Sequence, residues 1–146
     1  AHDTKTRDDP TVEGRANTYL REFKISSVSA GILLLGFVYL TLSVGNLPSV
    51  WDLILSSAVV IATVFIIVGI GVTRAPSLLM KSSIPLHLIT IFAIAIMTVL
   101  MGPNGSMARV YSLELFYSYQ LLMAAANIAA ILFAIMLLKS DTQLVA

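Results

Sequence analysis

The chain has 146 residues, 58% hydrophobic and 12% charged, with a formal net charge of +1 and a mean hydropathy of +0.91. A soluble domain of this length could not hide so much apolar surface, so the composition points to an all-α integral membrane protein. The near-zero net charge offers no basic patch for nucleic acid, and the absence of cysteine removes thiol catalysis, disulfides, Fe–S clusters and zinc-thiolate centres.

Charges fall into clusters separated by apolar gaps. No Asp, Glu, Lys or Arg lies between Lys24 and Asp52, Asp52 and Arg74, Lys81 and Arg109, or Glu114 and Lys139. Each gap is close to the roughly 20 residues that carry a helix across about 30 Å of hydrocarbon. Four membrane-spanning helices in one bundle are therefore expected. Too little chain remains outside them for a separate soluble catalytic domain.

In chain order, residues 1–24 read as a polar tail with Pro10 and Gly14 and little apolar periodicity. Ala1 at the first position fits removal of an initiator Met or of a targeting peptide. The end of the tail, where Tyr19, Leu20 and Phe23 mix with Arg21, Glu22 and Lys24, suits a short amphipathic segment at headgroup level. The transmembrane bundle is expected over residues 25–139, with helix 1 at 26–44, ending at Gly45, Asn46, Leu47 and Pro48. Helix 2 is expected at 49–72, with Trp51 at interface depth and Asp52 in its first turn, where a carboxylate meets the positive end of the helix dipole. A connection through Arg74, Pro76 and Lys81 follows, with Leu78 and Leu79 lying along the interface. Helix 3 is expected at 83–101, with Pro85 accommodated in its first turn. Gly102, Pro103, Asn104 and Gly105 form the strongest turn signal in the chain. Helix 4 is expected at 111–138, with Glu114 in its first turn, before a short polar tail at 140–146.

Orientation follows from Lys and Arg near the helix ends. Lys5, Arg7, Arg15, Arg21, Lys24, Arg74, Lys81 and Lys139 fall on one side, against Arg109 alone on the other. The positive-inside rule puts both termini on the cytoplasmic side, or the matrix side in a mitochondrion. The cell membrane is the expected location, with the mitochondrial inner membrane as the other setting.

Polar or small residues recurring at about seven mark the face that each helix turns to its neighbours. Ser29, Gly36 and Ser43 mark helix 1, Ser56 and Thr63 helix 2, and Gln120, Asn127 and Ala134 helix 4. In helix 3, His87, Thr90 and Thr98 share a face that Ile94 interrupts. One narrow stripe per helix implies a left-handed bundle. Tyr111, Phe116, Tyr117 and Tyr119, with Trp51, read as an aromatic belt at the outer interface.

Few side chains offer chemistry. His87 is the one ionisable group well inside a gap, about a turn from the cytoplasmic interface, and its bland reading is a hydrogen bond to a neighbouring helix. With His2 as the other His in the chain, no metal or haem site is expected, and no cofactor. Asn127 sits near the membrane centre with Thr63 at matching depth, so a contact between their helices is expected. The sharper reading makes Thr63, His87, Gln120 and Asn127, with Thr90 and Thr98, the lining of a polar path. Asp52 and Glu114 would share the outer side, either as ordinary first-turn carboxylates or as a pair that binds a cation or acts as acid and base. Asn104, Gly105 and Ser106 form an acceptor triplet for N-glycosylation, again on the outer side.

No nucleophile elbow, phosphate loop or metal-spaced cluster is present, and no family motif is recognised, so an enzyme is not expected. The leading expectation is a non-catalytic accessory subunit of a larger membrane complex, with respiratory and other membrane oxidoreductases among the candidates. Its partners would be membrane lipids and other integral subunits. The second expectation is a small channel or carrier built from several copies of the chain, and the third is a membrane-organising adaptor.

Overall fold

The computed structural model describes residues 10–44, 49–72, 78–101 and 112–145, which form helices and, among the described residues, no strand. In chain order these are α1 (Pro10–Val44), α2 (Val50–Gly71), α3 (Leu78–Met101) and α4 (Leu113–Val145). Each contains a stretch long and apolar enough to cross a membrane: Gly14–Ser43, Val50–Gly71, Met80–Leu100 and Glu114–Lys139. The chain is thus a multi-pass integral membrane protein folded as a four-helix bundle.

A seam of buried positions at spacings of three and four runs along α1, α3 and α4. In α4 they are Phe116, Gln120, Met123, Asn127, Ala130, Ala134 and Leu137; in α1, Phe23, Ser27, Ala30, Leu34, Phe37 and Thr41. Met80, Ser83, His87, Thr90 and Ile94 continue the pattern in α3. In α2 the buried positions are Leu55, Ala62, Phe65, Val68 and Gly69, with Val72 just past its end. Such a repeat keeps one seam facing the partner helices and is the packing geometry of left-handed bundles. Ile94, which interrupts the polar face of α3 in the sequence, is an ordinary member of this seam.

Three helix ends differ from the sequence expectation. α1 begins at Pro10 rather than at residue 26, because Ala16, Tyr19, Leu20 and Phe23 recur at i, i+3, i+4 and i+7 and pack against the cluster that includes Ala134 and Leu137 of α4. The rings of Tyr19 and Phe133 lie 6.4 Å apart. The expected amphipathic segment is therefore part of α1, and α4 continues to Val145 instead of ending near 138. With 35 and 33 residues, α1 and α4 measure about 50 Å and outrun a hydrocarbon layer of about 30 Å. α3 begins at Leu78, which puts Pro85 in its interior rather than in its first turn. There the Ser83 hydroxyl donates to the Met80 carbonyl at 2.7 Å, beside the Lys81 carbonyl whose usual i+4 donor Pro85 lacks. At α4, the Ser112 hydroxyl accepts from the Leu115 amide at 3.1 Å, so the helix starts one residue after this cap.

α1 packs along α2 and α4, and α3 packs chiefly on α4, while α2 and α3 touch only slightly. Two glycines bring α1 and α2 together. A Cβ on Gly31 would stand 2.7 Å from the Ala62 carbonyl oxygen, and one on Gly69 would stand 2.5 Å from Val28 Cγ2. Neither site has room for a methyl group. Backbone contact this close increases dispersion where no hydrophobic drive between helices exists.

Candidate functional site

The core is divided by depth. Leu34, Phe37, Ala62, Ile94, Phe116 and Met123 form one apolar cluster, and Phe23, Val68, Val72, Met80, Ala130, Ala134 and Leu137 form the other. Between them every helix contributes one residue to a polar layer: Ser27 from α1, Phe65 from α2, His87 from α3 and Asn127 from α4. Ser27 and His87 are fully buried, and Asn127 nearly so.

Hydrogen-bond directions in this layer follow from the groups that can only accept. Asn127 Nδ2 donates to the Met123 carbonyl at 2.8 Å, which turns Oδ1 toward His87 Nδ1 at 2.7 Å. The orientation fixes Nδ1 as the donor of that bond. In the neutral ring Nε2 is then an acceptor, 3.3 Å from Ser27 Oγ. The Ser27 hydroxyl also lies 3.0 Å from the Phe65 carbonyl, so one proton serves two acceptors. The Phe65 ring stacks on the imidazole, with centroids 3.8 Å apart and planes 9° from parallel. His87 is thereby enclosed by one contact from each of the other helices, and both ring nitrogens are engaged. Among the described residues no group of three or more His, Asp or Glu converges to hold a metal ion.

Several expectations resolve differently. His87 and Asn127 lie at the same depth, although the sequence put His87 near the interface and Asn127 at the centre. The difference arises because α4 extends well past α3 at that end, so counting inward from each helix end misjudges their relative level. Thr63 is exposed on the outside of α2 and donates to the Val59 carbonyl of its own helix at 2.8 Å. It meets neither Asn127 nor Gln120. Ser56 is exposed as well, and the seam of α2 runs through the adjacent Leu55 and Ala62. Thr90 and Thr98 likewise donate to Leu86 and Ile94 carbonyls four residues back, a local bond that satisfies a threonine without a second helix.

Gln120 forms a second polar contact, with α3. Its Nε2 donates to Thr98 Oγ1 at 3.0 Å and, at a longer 3.4 Å, to the Ile94 carbonyl. Its Oε1 is buried without a hydrogen-bond partner, alone among the described residues in this. Of the expected aromatic belt, Phe116 is buried in the core and the half-buried Tyr119 donates its hydroxyl to the Leu33 carbonyl of α1, in space that Gly36 leaves open. Tyr117 remains exposed. Asp52 and Glu114 are exposed in the first turns of α2 and α4, and no ion pair joins them among the described residues. Asn104 lies outside the described residues, as do Arg74, Arg109 and Tyr111.

Ser27 and Phe65 escaped the sequence reading. Ser27 is one of three serines within four positions, and nothing local distinguishes it from Ser26 or Ser29. Phe65 looks like any other apolar residue of α2; its position ten residues after Leu55 on the seven-residue seam is the one signal that marks it. Comparison with models of known families found no match, and neither curated proteins nor solved structures gave a significant similarity.

Proposed function

We propose that this chain is a non-catalytic integral subunit of a larger membrane protein complex, supplying helix packing, lipid contact and stability. The observation that supports this most is the mutual satisfaction of the polar layer around His87. His87, Asn127 and Ser27 bond to one another and to backbone carbonyls at the centre of the bundle. A transport path needs polar groups free to exchange partners with the passing ion, whereas these bind helix to helix. The same arrangement argues against a path between copies of the chain, because three of the four expected lining residues face inward and Thr63 faces outward.

The outer surface accords with a subunit role. Every span keeps an exposed apolar face, with Ile32 of α1, Val60 of α2, Phe92 of α3 and Leu121 of α4 open to lipid or neighbouring helices. Along the groove between α1 and α4, Ser29, Ala125 and Ala126 present small side chains that let another transmembrane helix approach closely. By the Lys and Arg count, both termini lie on the cytoplasmic or matrix side. Respiratory and other membrane oxidoreductases are the first complexes to examine.

The test removes the chain from its native cells and compares membrane complexes on native gels. Loss of one complex, restored by the wild-type chain and poorly by Ala125→Leu, is the expected result. An unchanged complex profile would overturn the subunit reading, and gradient-driven ion flux through the purified chain in liposomes, abolished by His87→Ala, would install the channel reading instead.

A further inference from the structure

The slight contact between α2 and α3 leaves a cleft of about 340 Å³ in the half of the bundle that contains the N-termini of α2 and α4. Its floor is Leu34 and Phe37 of α1 and Met123 of α4, and its walls include Ala58 and Ile61 of α2 and Ala93 and Met97 of α3. Leu53 and Ile89, at its edges, are 70% and 58% exposed, so the cleft opens sideways to the hydrocarbon. An apolar cavity of about 150 Å³ accommodates benzene; this one has room for a body roughly twice that size.

Gln120 also lines the cleft. The amide is held by its nitrogen, because the Ile94 carbonyl can only accept and the Thr98 hydroxyl already gives its proton to that carbonyl. Reversing the amide would set two acceptors against each other, so Oε1 is the atom left over. It belongs to a side chain 3% exposed and has no partner in the protein. Water is scarce at this depth, and a buried acceptor without a donor is costly. An acyl chain would fill the space yet leave the oxygen unsatisfied.

We infer that the α2–α3 cleft binds a lipophilic molecule bearing one hydroxyl group, whose apolar body fills the space against Phe37 and Met123 and whose O–H donates to Gln120 Oε1. The shared chemistry is a single donor on an apolar body, whether a phenol or an aliphatic alcohol dissolved in the bilayer. In the empty cleft Oε1 is closed off from the surface, so it meets the hydroxyl through a small turn of the Gln120 side chain that keeps Nε2 on α3. This inference is independent of the subunit reading, since the cleft lies within one chain.

Matched pairs differing only in the donor provide the test: para-hexylphenol against its methyl ether, and decanol against decyl methyl ether. Binding to the full chain in lipid nanodiscs is followed through isotope-labelled methionine methyl resonances, with Met97 and Met123 at the cleft and Met80 in the other core cluster as the control. At least one alcohol should bind about five-fold more tightly than its ether, the ratio a net hydrogen bond of ordinary strength gives, with shifts confined to Met97 and Met123. Preference in the first pair identifies a phenol site, and preference in the second an aliphatic alcohol site. Gln120→Leu should bring alcohol and ether to equal affinity, and Ala93→Phe, which fills the cleft without touching Gln120, should abolish both. Equal affinities within both pairs on the wild-type chain would overturn the inference, as would shifts centred on Met80 or a hydroxyl preference that survives Gln120→Leu.

Discussion

Replacing Asn127 by Leu removes the acceptor opposite His87 Nδ1 while keeping a side chain of similar size. The 2.7 Å bond between α3 and α4 is lost, and hydrogen bonds between membrane helices average about 0.6 kcal/mol, reaching about 1.7. The ring N–H is also stranded at a fully buried position, and an orphaned buried donor costs about 1–3 kcal/mol. These contributions overlap, so a loss of about 2 kcal/mol is expected, close to a thirty-fold shift in the folding equilibrium. His87→Leu strands Asn127 Oδ1 in turn and removes the stacking on Phe65, worth about 0.5–1.5 kcal/mol, for a total of about 2–3 kcal/mol. The double variant leaves neither group orphaned. Its loss should therefore fall about 2 kcal/mol short of the sum of the single losses. Unfolding in mixed micelles, followed by far-ultraviolet circular dichroism for all four members of the cycle, gives the coupling directly. Additivity within about 0.5 kcal/mol, or an Asn127→Leu variant as stable as the wild type, would refute the view that this layer fastens the helices together.

Gly31→Ala and Gly69→Ala should each lower stability by about 1–3 kcal/mol in the same unfolding assay, because the new methyl meets Ala62 O at 2.7 Å or Val28 Cγ2 at 2.5 Å. Gly14→Ala is the counter-case: nothing lies within 4 Å of its added Cβ, so the gain in helix propensity should raise stability by about 0.5–1 kcal/mol. Tyr119→Phe keeps the ring and deletes the bond to the Leu33 carbonyl, for an expected loss of about 1 kcal/mol measured by thermal denaturation. Thr63→Val should leave stability within about 0.5 kcal/mol of wild type, since the hydroxyl bonds only within α2 and faces outward.

The charge gaps located all four spans, since a charged side chain in hydrocarbon is expensive enough to keep the apolar runs clean. Helix ends were less legible. The run through residues 10–24 contains as many charges as a solvated tail, and its helical character rests on four apolar residues whose partners, Ala134 and Leu137 among them, lie on α4 more than a hundred residues away. Amides proved better markers of the interior than hydroxyls. Gln120 and Asn127 both turn inward because an amide has more donors and acceptors than its own helix can satisfy. Thr63 turns outward at little cost because one bond to Val59 O suffices. That is why the seam of α4 could be read from its sequence and the seam of α2 was displaced by one residue, about 100° around the helix. The layer around His87 required knowledge of all four helices at once. Ser27, Phe65 and Asn127 are separated from His87 by tens of residues, and their common depth depends on how far each helix protrudes.

The most direct test of the proposed role is the mass of the native particle. The chain, tagged and expressed at its natural level, would be extracted from its own membrane in mild detergent and weighed by native mass spectrometry. A subunit role requires a particle of fixed stoichiometry containing other integral membrane chains. A particle made of this chain and lipid alone would contradict it.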